Sequence, residues 1–328
     1  MVFGREALRQ ALYLSSATVP PGRRTRLISI GGEGWEDLAA ALRGGSDAGE
    51  RVYVVGGATD CGKTTLCRYL VDTAAAQTRA AYVDCDTGQS RIGPPTTEGM
   101  AVYPDPSDPP YLRFVGSTSP PGGHFVQILT GAKRLAEKAD ELSARVTVID
   151  SPGLVSGGVG IEFQLQMIDL LRPPTRIVAL QRGRELERLL ANFARRPGTL
   201  IHRLAVSPPA VVARPAAGRR RYREERFTAY FAGAESQDIP LRGLGLQGRV
   251  PDLGNPPRGI GGRLVSLNDP PENFVIALGI VEDLHPPGRR LEVFAPPPFD
   301  PAAVASIRFG SISLDLGAAP GSMESFRR

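Results

Sequence analysis

The chain is poor in the residue types from which metal sites and disulfide frameworks are built. Its 328 residues include three Cys and three His. Cys61, Cys67 and Cys85 lack the paired spacing of a zinc knuckle, and an odd set so small makes no disulfide scaffold. His124, His202 and His285 lie far apart, which argues against a His-rich metal centre. There is one Trp. No apolar run approaches the roughly 20 residues that a bilayer-crossing helix needs, and the opening MVFGREALRQALYL has no leader-like pattern. A soluble, cytoplasmic protein without membrane contact is expected. Lysine is nearly absent too: of 39 basic residues only Lys63, Lys133 and Lys138 are Lys, and the remainder are Arg. Base composition or growth at high temperature explains such a bias. Arg also pairs phosphate oxygens bidentately. Composition alone does not choose between these.

What is present is ordinary globular material. Hydrophobic residues are 41% and charged residues 22%, with a net charge of +5. The length suits one large domain or two smaller ones. A strand is expected over 26–30 and a short helix over 35–42. Arg51 to Gly56 (RVYVVG) reads as a buried strand. Further strands are expected over 79–83, 111–115, 145–149 and 175–180. Helices are expected over 63–76, 125–142, 163–171 and 185–193, and a Pro-rich loop over 94–110. Alternating strand and helix predict an α/β fold, a parallel sheet with helices on both faces. Beyond Ala232 the pattern changes to short strands and Gly/Pro turns, with strands over 263–267, 273–278, 291–294 and 307–316. The expected organisation is a short α/β segment (1–50), a P-loop domain (51–233) with an Arg-rich lid (about 212–230), and a small β-rich C-terminal domain (234–328).

Gly57-Ala58-Thr59-Asp60-Cys61-Gly62-Lys63-Thr64 matches G-x-x-x-x-G-K-[ST] in full, with a strand before it and a helix after it. Such a loop turns backbone N–H groups around phosphate oxygens. Its Lys reaches the β- and γ-phosphates, and its hydroxyl ligates Mg²⁺. The motif predicts a nucleoside triphosphate, ATP or GTP, but not the fate of the γ-phosphate. A nucleotide switch, a small-molecule kinase and a polymer kinase all remain open on this motif.

Asp84-Cys85-Asp86-Thr87-Gly88-Gln89 follows the second strand. Alternation along a strand points Asp84 and Asp86 the same way. One could support Mg²⁺ while the other accepts a proton from an attacking hydroxyl. Asp150-Ser151-Pro152-Gly153 resembles the D-x-x-G of GTP switches. No N-K-x-D follows a later strand, which weakens the GTPase reading. From Arg214 to Arg226 the chain carries six Arg and two Glu. Arg219, Arg223 and Arg226 share one helical face. A solvated helix with local Arg–Glu pairs is the plain reading, and neutralisation of a transferred phosphoryl group is the functional one.

Taken together, these residues resemble the polynucleotide 5′-hydroxyl kinase family. That family includes the kinase subunit of the eukaryotic pre-mRNA cleavage complex, nucleolar pre-rRNA processing kinases and prokaryotic relatives. The resemblance rests on G-x-T-D-x-G-K-T-T-L-C-R (57–68), D-x-D-x-G-Q (84–89), G-S-T-S-P (116–120) and the Arg segment that runs on to Gly233. It implies transfer of a γ-phosphoryl from ATP or GTP, with Mg²⁺, to the 5′-OH end of RNA or DNA. By resemblance, Gly57, Thr59, Asp60, Cys61, Gly62, Lys63, Thr64 and Thr65 line the donor phosphates. The resemblance also implies that Thr64, Asp84 and Asp86 form the metal site, that Asp86 is the general base, that Gln89, Thr118, Ser119 and Arg220 meet the nucleic acid, and that Lys63, Arg214, Arg219 and Arg223 act on the transferred group. Two places depart from the family pattern: Gly123-His124 stands where an Asn is common, and Gly153-Leu154-Val155 replaces a G-W-V triplet. The alternatives are a non-catalytic nucleotide-binding scaffold in an RNA-processing complex and a dethiobiotin-synthetase-like carboxylate activator. The Arg segment and the S-T-S-P step do not fit the latter.

Overall fold

The structure is a computed structural model that describes residues 34–43, 49–58, 60–105, 110–119, 123–171, 176–206, 215–253, 260–285, 290–297, 299–315 and 322–325. The strand expected over 26–30 lies outside the described residues.

The first sheet has seven strands: β1 (Glu50–Gly56), β2 (Ala80–Asp84), β3 (Thr97–Tyr103), β4 (Tyr111–Phe114), β5 (Val146–Asp150), β6 (Arg176–Gln181) and β7 (Leu200–Ala205), in the order β4-β3-β2-β5-β1-β6-β7. Every residue of β1, β2 and β5 is buried. These three strands are near-continuous apolar runs, as expected where helices cover both faces of a parallel sheet. Helices α1 (Trp35–Arg43) and α2 (Lys63–Ala75) bury Leu38, Leu42, Leu66, Leu70 and Val71 in one cluster with Val52 and Val54. On the other face α3 (Phe125–Glu141), α4 (Gly157–Leu170) and α5 (Glu187–Leu190) pack on Tyr53, Val55 and Ile149. In α3 the buried residues Ile128, Gly131, Ala132, Leu135, Ala136 and Ala139 recur at helical spacing, which gives an apolar stripe for the sheet.

Four expectations need correction. The 94–110 stretch is not a loop: β3 lies inside it, antiparallel to β2 and to β4, so the sheet is mixed at that edge. Prolines bracket β3 rather than interrupt it, where a strand tolerates them. A seventh strand, β7, pairs in parallel with β6. Its residues 200–203 are not buried, so it lacks the apolar run that marks an inner strand. α4 begins six residues earlier than expected, through a Gly-rich start. The helix expected over 185–193 is regular only over Glu187–Leu190.

After α6 (Ala216–Tyr230) the chain forms a second sheet. Its strands are β8 (Glu235–Pro240), β9 (Gly245–Gly248), β10 (Arg263–Asn268), β11 (Val275–His285), β12 (Arg290–Ala295), β13 (Ser306–Asp315) and β14 (Ser322–Ser325). The order is β14-β13-β10-β11-β12-β8, with β9 parallel to β13. The sheet has its own cluster around Leu267, Val281, Leu291 and Ile307. Leu264, Leu278, Ile280 and Leu314, by contrast, join Leu66, Phe114, Phe227 and Tyr230 in the core of the first sheet. This shared core brings the second sheet against the site described next.

Candidate active site

Three strand ends converge. Register pairs Asp150 of β5 with Val54 of β1 on one side and with Asp84 of β2 on the other. The loop after β1 therefore lies beside two carboxylates. Its turn relies on positive φ at Asp60 and Gly62, 55° and 90°, and Gly62 caps α2 without a side-chain bond. The first N–H groups of α2 are thus left for an anion. A Cβ at Gly57 would collide with Glu185, whose carboxylate accepts from the backbone N–H of Arg182 and Gly183 at 2.7 and 2.9 Å. Cys61 is buried and Thr65 exposed. Thr59 lies outside the described residues.

Asp150 organises the floor of the site. It accepts from the Lys63 ammonium, from the Thr64 hydroxyl at 2.7 Å and from the Tyr82 hydroxyl at 2.9 Å. Burial works against the charged form of Lys63, but Asp150, with Asp86 beyond it, outweighs that and raises its pKa. Sequence reasoning does not single out Asp150 or Tyr82 as a site residue. The one signal is the acidic residue that ends β5, which at the level of motifs reads only as a GTPase marker.

The two carboxylates of the second motif are treated differently. Asp84 is 1% exposed. Its Oδ1 accepts from the Asp86 N–H at 3.0 Å, and its Oδ2 from the N–H groups of Arg91 and Ile92 at 2.5 and 3.3 Å. Burial, reinforced by the Asp150 carboxylate, pushes its pKa up to about 7. Asp84 is therefore committed to holding the turn. Asp86 is half-buried. Its Oδ1 accepts from the N–H groups of Gly88 and Gln89, both at 3.0 Å. Its Oδ2 accepts no hydrogen bond among the described residues.

Gly88 brings in the next segment: a Cβ there would sit 2.9 Å from the Thr118 carbonyl oxygen. Thr118 is half-buried and Ser119 exposed. The turn closes on itself, with the Ser119 N–H donating to Ser117 Oγ at 3.2 Å. Its base is fixed by the second sheet. Gly116, at φ 80°, approaches the backbone of Gly310 so closely that a Cβ would stand 2.8 Å from it. The Ser311 N–H donates to the Gly116 carbonyl at 2.9 Å.

The Arg helix α6 is anchored at one end. Phe227 and Tyr230 are buried, and the Tyr230 hydroxyl accepts from the Leu278 N–H at 2.8 Å. Midway, the Tyr222 hydroxyl donates to the Ser90 carbonyl at 2.8 Å, and Arg226 donates to the Gly93 carbonyl at 2.6 Å. Arg223 is half-buried. Burial, then Arg219, lowers its pKa, while Asp86 pulls it the other way. Arg223 thus lies within electrostatic reach of Asp86, with Arg219 beside it. Arg220 and Arg221 point to solvent and pair with Glu224 and Glu225 at 2.7 and 2.8 Å. Arg214 lies outside the described residues. Among the described residues no group of three or more His, Cys, Asp or Glu could hold a metal ion, and no helix is long and apolar enough to cross a membrane.

Residues 57–233 match the family described as the mRNA cleavage and polyadenylation factor CLP1 P-loop. Among curated proteins, the polyribonucleotide 5′-hydroxyl-kinase of Methanocaldococcus jannaschii is 28% identical over 206 residues, 60% of this chain and 55% of that protein. Its Pyrococcus furiosus counterpart is 31% identical over 205 residues, with the same shares. The human polyribonucleotide 5′-hydroxyl-kinase Clp1 is 31% identical over 206 residues, 57% of this chain and 46% of that protein. The chain thus spans about half the length of these relatives. Among solved structures, the wild-type Clp1p–Pcf11p complex superposes with a TM-score of 0.66 at 14% identity, covering 85% of this chain and 78% of that one. The superposition speaks for the fold, and a P-loop of this kind implies nucleotide binding. The family match takes in the phosphate loop, the Asp84–Gln89 turn and the Arg helix in one stretch of more than half the sequence, and the chain belongs to the CLP1 P-loop family.

Proposed function

We propose that the protein is a polynucleotide 5′-hydroxyl kinase that transfers the γ-phosphoryl group of ATP or GTP to the 5′-OH end of RNA or DNA. The observation that carries this reading is the state of Asp86: a half-exposed carboxylate with one oxygen pinned by two N–H groups and the other unengaged among the described residues, beside the Thr118 turn and within electrostatic reach of Arg223.

Thr64 fits Mg²⁺, which typically takes one or two protein oxygens and keeps its waters and substrate phosphates, and Asp150, with both oxygens taken by Lys63, Thr64 and Tyr82, would hold the Thr64 hydroxyl in place from behind. Mg²⁺ held there would neutralise charge on the β- and γ-phosphates. Asp84, with both oxygens taken by backbone N–H groups, supports the turn rather than ligating. The N–H groups at the start of α2, with Gly57, Asp60, Cys61 and Thr65 around them, receive the phosphates, and Lys63 follows the γ-phosphoryl. Thr118, Ser119 and Gln89 seat the acceptor end. Asp86 Oδ2 takes the proton of the 5′-hydroxyl. The hydroxyl oxygen bonds to the γ-phosphorus as the bond to the β-phosphate oxygen breaks, and a nucleoside diphosphate leaves. Arg219 and Arg223, with Arg214, offset the charge that spreads over the transferred group.

The test is transfer of label from γ-³²P ATP or GTP to a 5′-hydroxyl oligoribonucleotide and its deoxy counterpart. Label on the oligomer, lost in Lys63→Ala and reduced by about 10²–10⁴-fold in Asp86→Asn, is the expected result. Bound nucleotide with no label on any acceptor would favour a non-catalytic scaffold instead.

A further inference from the structure

The second sheet carries a group of arginines that the site above does not use. Arg308 on β13 stands opposite Gln247 of β9, and its guanidinium donates to Gln247 Oε1 at 2.5 Å. Arg249, just past β9, is exposed, and its N–H bonds the Phe309 carbonyl at 3.1 Å. Arg263 of β10 donates to the Arg249 carbonyl at 3.0 Å. Among the described residues no carboxylate pairs with Arg249 or Arg308. Arg113 is committed elsewhere, to the carbonyls of Glu272 and Asn273 at 2.9 and 2.6 Å.

This group adjoins the acceptor turn. His124 Nε2 lies 3.0 Å from Ser311 Oγ, and that hydroxyl donates to the Gly116 carbonyl at 2.9 Å. The charges are felt there: burial, then Arg249, lowers the His124 pKa, and Arg308 adds to it. Three residues along β13 separate Ser311 from Arg308, about 10 Å at strand rise. That is within reach of the first few phosphates of a strand leaving the turn. Like charges side by side, with no carboxylate paired to Arg249 or Arg308 among the described residues, are unfavourable until an anion arrives. A strand of phosphates leaving the turn supplies such anions.

We propose that Arg249 and Arg308, with Arg263 behind them, receive the backbone phosphates of the polynucleotide strand 3′ of its acceptor end. This rests on the kinase reading for where the strand begins, but its test does not depend on transfer. A 3′-labelled 5′-hydroxyl RNA dodecamer and a dinucleotide are titrated by anisotropy over a KCl series. Arg249→Gln/Arg308→Gln should weaken dodecamer binding by about tenfold or more. It should also make the log–log salt slope shallower by about 1.4, roughly 0.7 for each phosphate no longer neutralised. Dinucleotide binding should not change. Arg249→Glu alone, at an exposed position, should shift binding the same way without burden on folding. Arg195→Gln, an exposed Arg elsewhere, should have no effect. An unchanged dodecamer affinity and slope in both patch variants would overturn the proposal. Arginine-dependent binding without phosphate transfer would keep this surface and remove the kinase reading. Transfer with a slope indifferent to the arginines would do the reverse.

Discussion

The Thr64 hydroxyl donates to Asp150 Oδ2 at 2.7 Å, joining the first turn of α2 to the end of β5. The same carboxylate takes the Lys63 ammonium. One side chain thus sets the positions of the two residues that the phosphate loop offers to a triphosphate.

Asp150→Asn should lower the turnover of phosphate transfer by about 100-fold or more, because a neutral amide cannot hold Lys63 and Thr64 together. Nucleotide binding, followed by fluorescence titration, should weaken far less. Equal loss in both measurements would reduce Asp150 to a folding role.

The arginines of α6 should separate by orientation. Arg223→Lys keeps the charge but loses the planar fork. Turnover on an oligonucleotide should drop, and Arg223→Ala should lose on the order of 10³-fold. Arg221→Gln, exposed and paired with Glu225, should leave kcat within about twofold, since exposed pairs contribute little.

Gly88→Ala should damage acceptor binding specifically. The added Cβ meets the Thr118 carbonyl at 2.9 Å, so one of the two turns must move, at a cost of about 1–3 kcal/mol. KM for the oligonucleotide should rise about tenfold or more while KM for the nucleotide stays put. A matched rise in both would mean that the two turns are not coupled as the geometry indicates.

Glu98 gives the fold a pH dependence. It is fully buried on β3, and neither carboxyl oxygen meets an N–H or O–H donor. Burial pushes its pKa well above 4.5, and Cys85 and Arg113 offset this only in part. Between the unfolded and folded pKa values the native state holds the extra proton, so stability falls as pH rises across that window. Urea unfolding of the wild type should weaken from mildly acidic to alkaline pH. Glu98→Gln, which keeps the shape and cannot ionise, should flatten that slope and be the more stable protein at alkaline pH.

The sequence by itself determined the central strands and the loop between β1 and α2. Those strands are near-continuous apolar runs, and the loop's glycines, Lys63 and Thr64 lie within eight consecutive residues, so local pattern and local chemistry suffice. It also carried the Asp84–Gln89 turn and the 116–120 segment as separate motifs. Tertiary structure alone decided how they meet. Asp84 and Asp86 look equivalent by alternation, but burial and three N–H donors committed Asp84 to the turn and left Asp86 half-exposed. Asp150 became the centre of the site only through parallel pairing of β5 with β1 and β2, which brings it beside Val54 and Asp84, residues far from it in sequence. β3 was hidden because its flanking prolines read as loop, and β7 because an exposed edge strand has no apolar run. The placement of Arg249 and Arg308 beside the acceptor turn depends on Gly116 meeting Gly310 and on Ser311 bonding His124. Those contacts join two sheets whose sequences show no sign of each other.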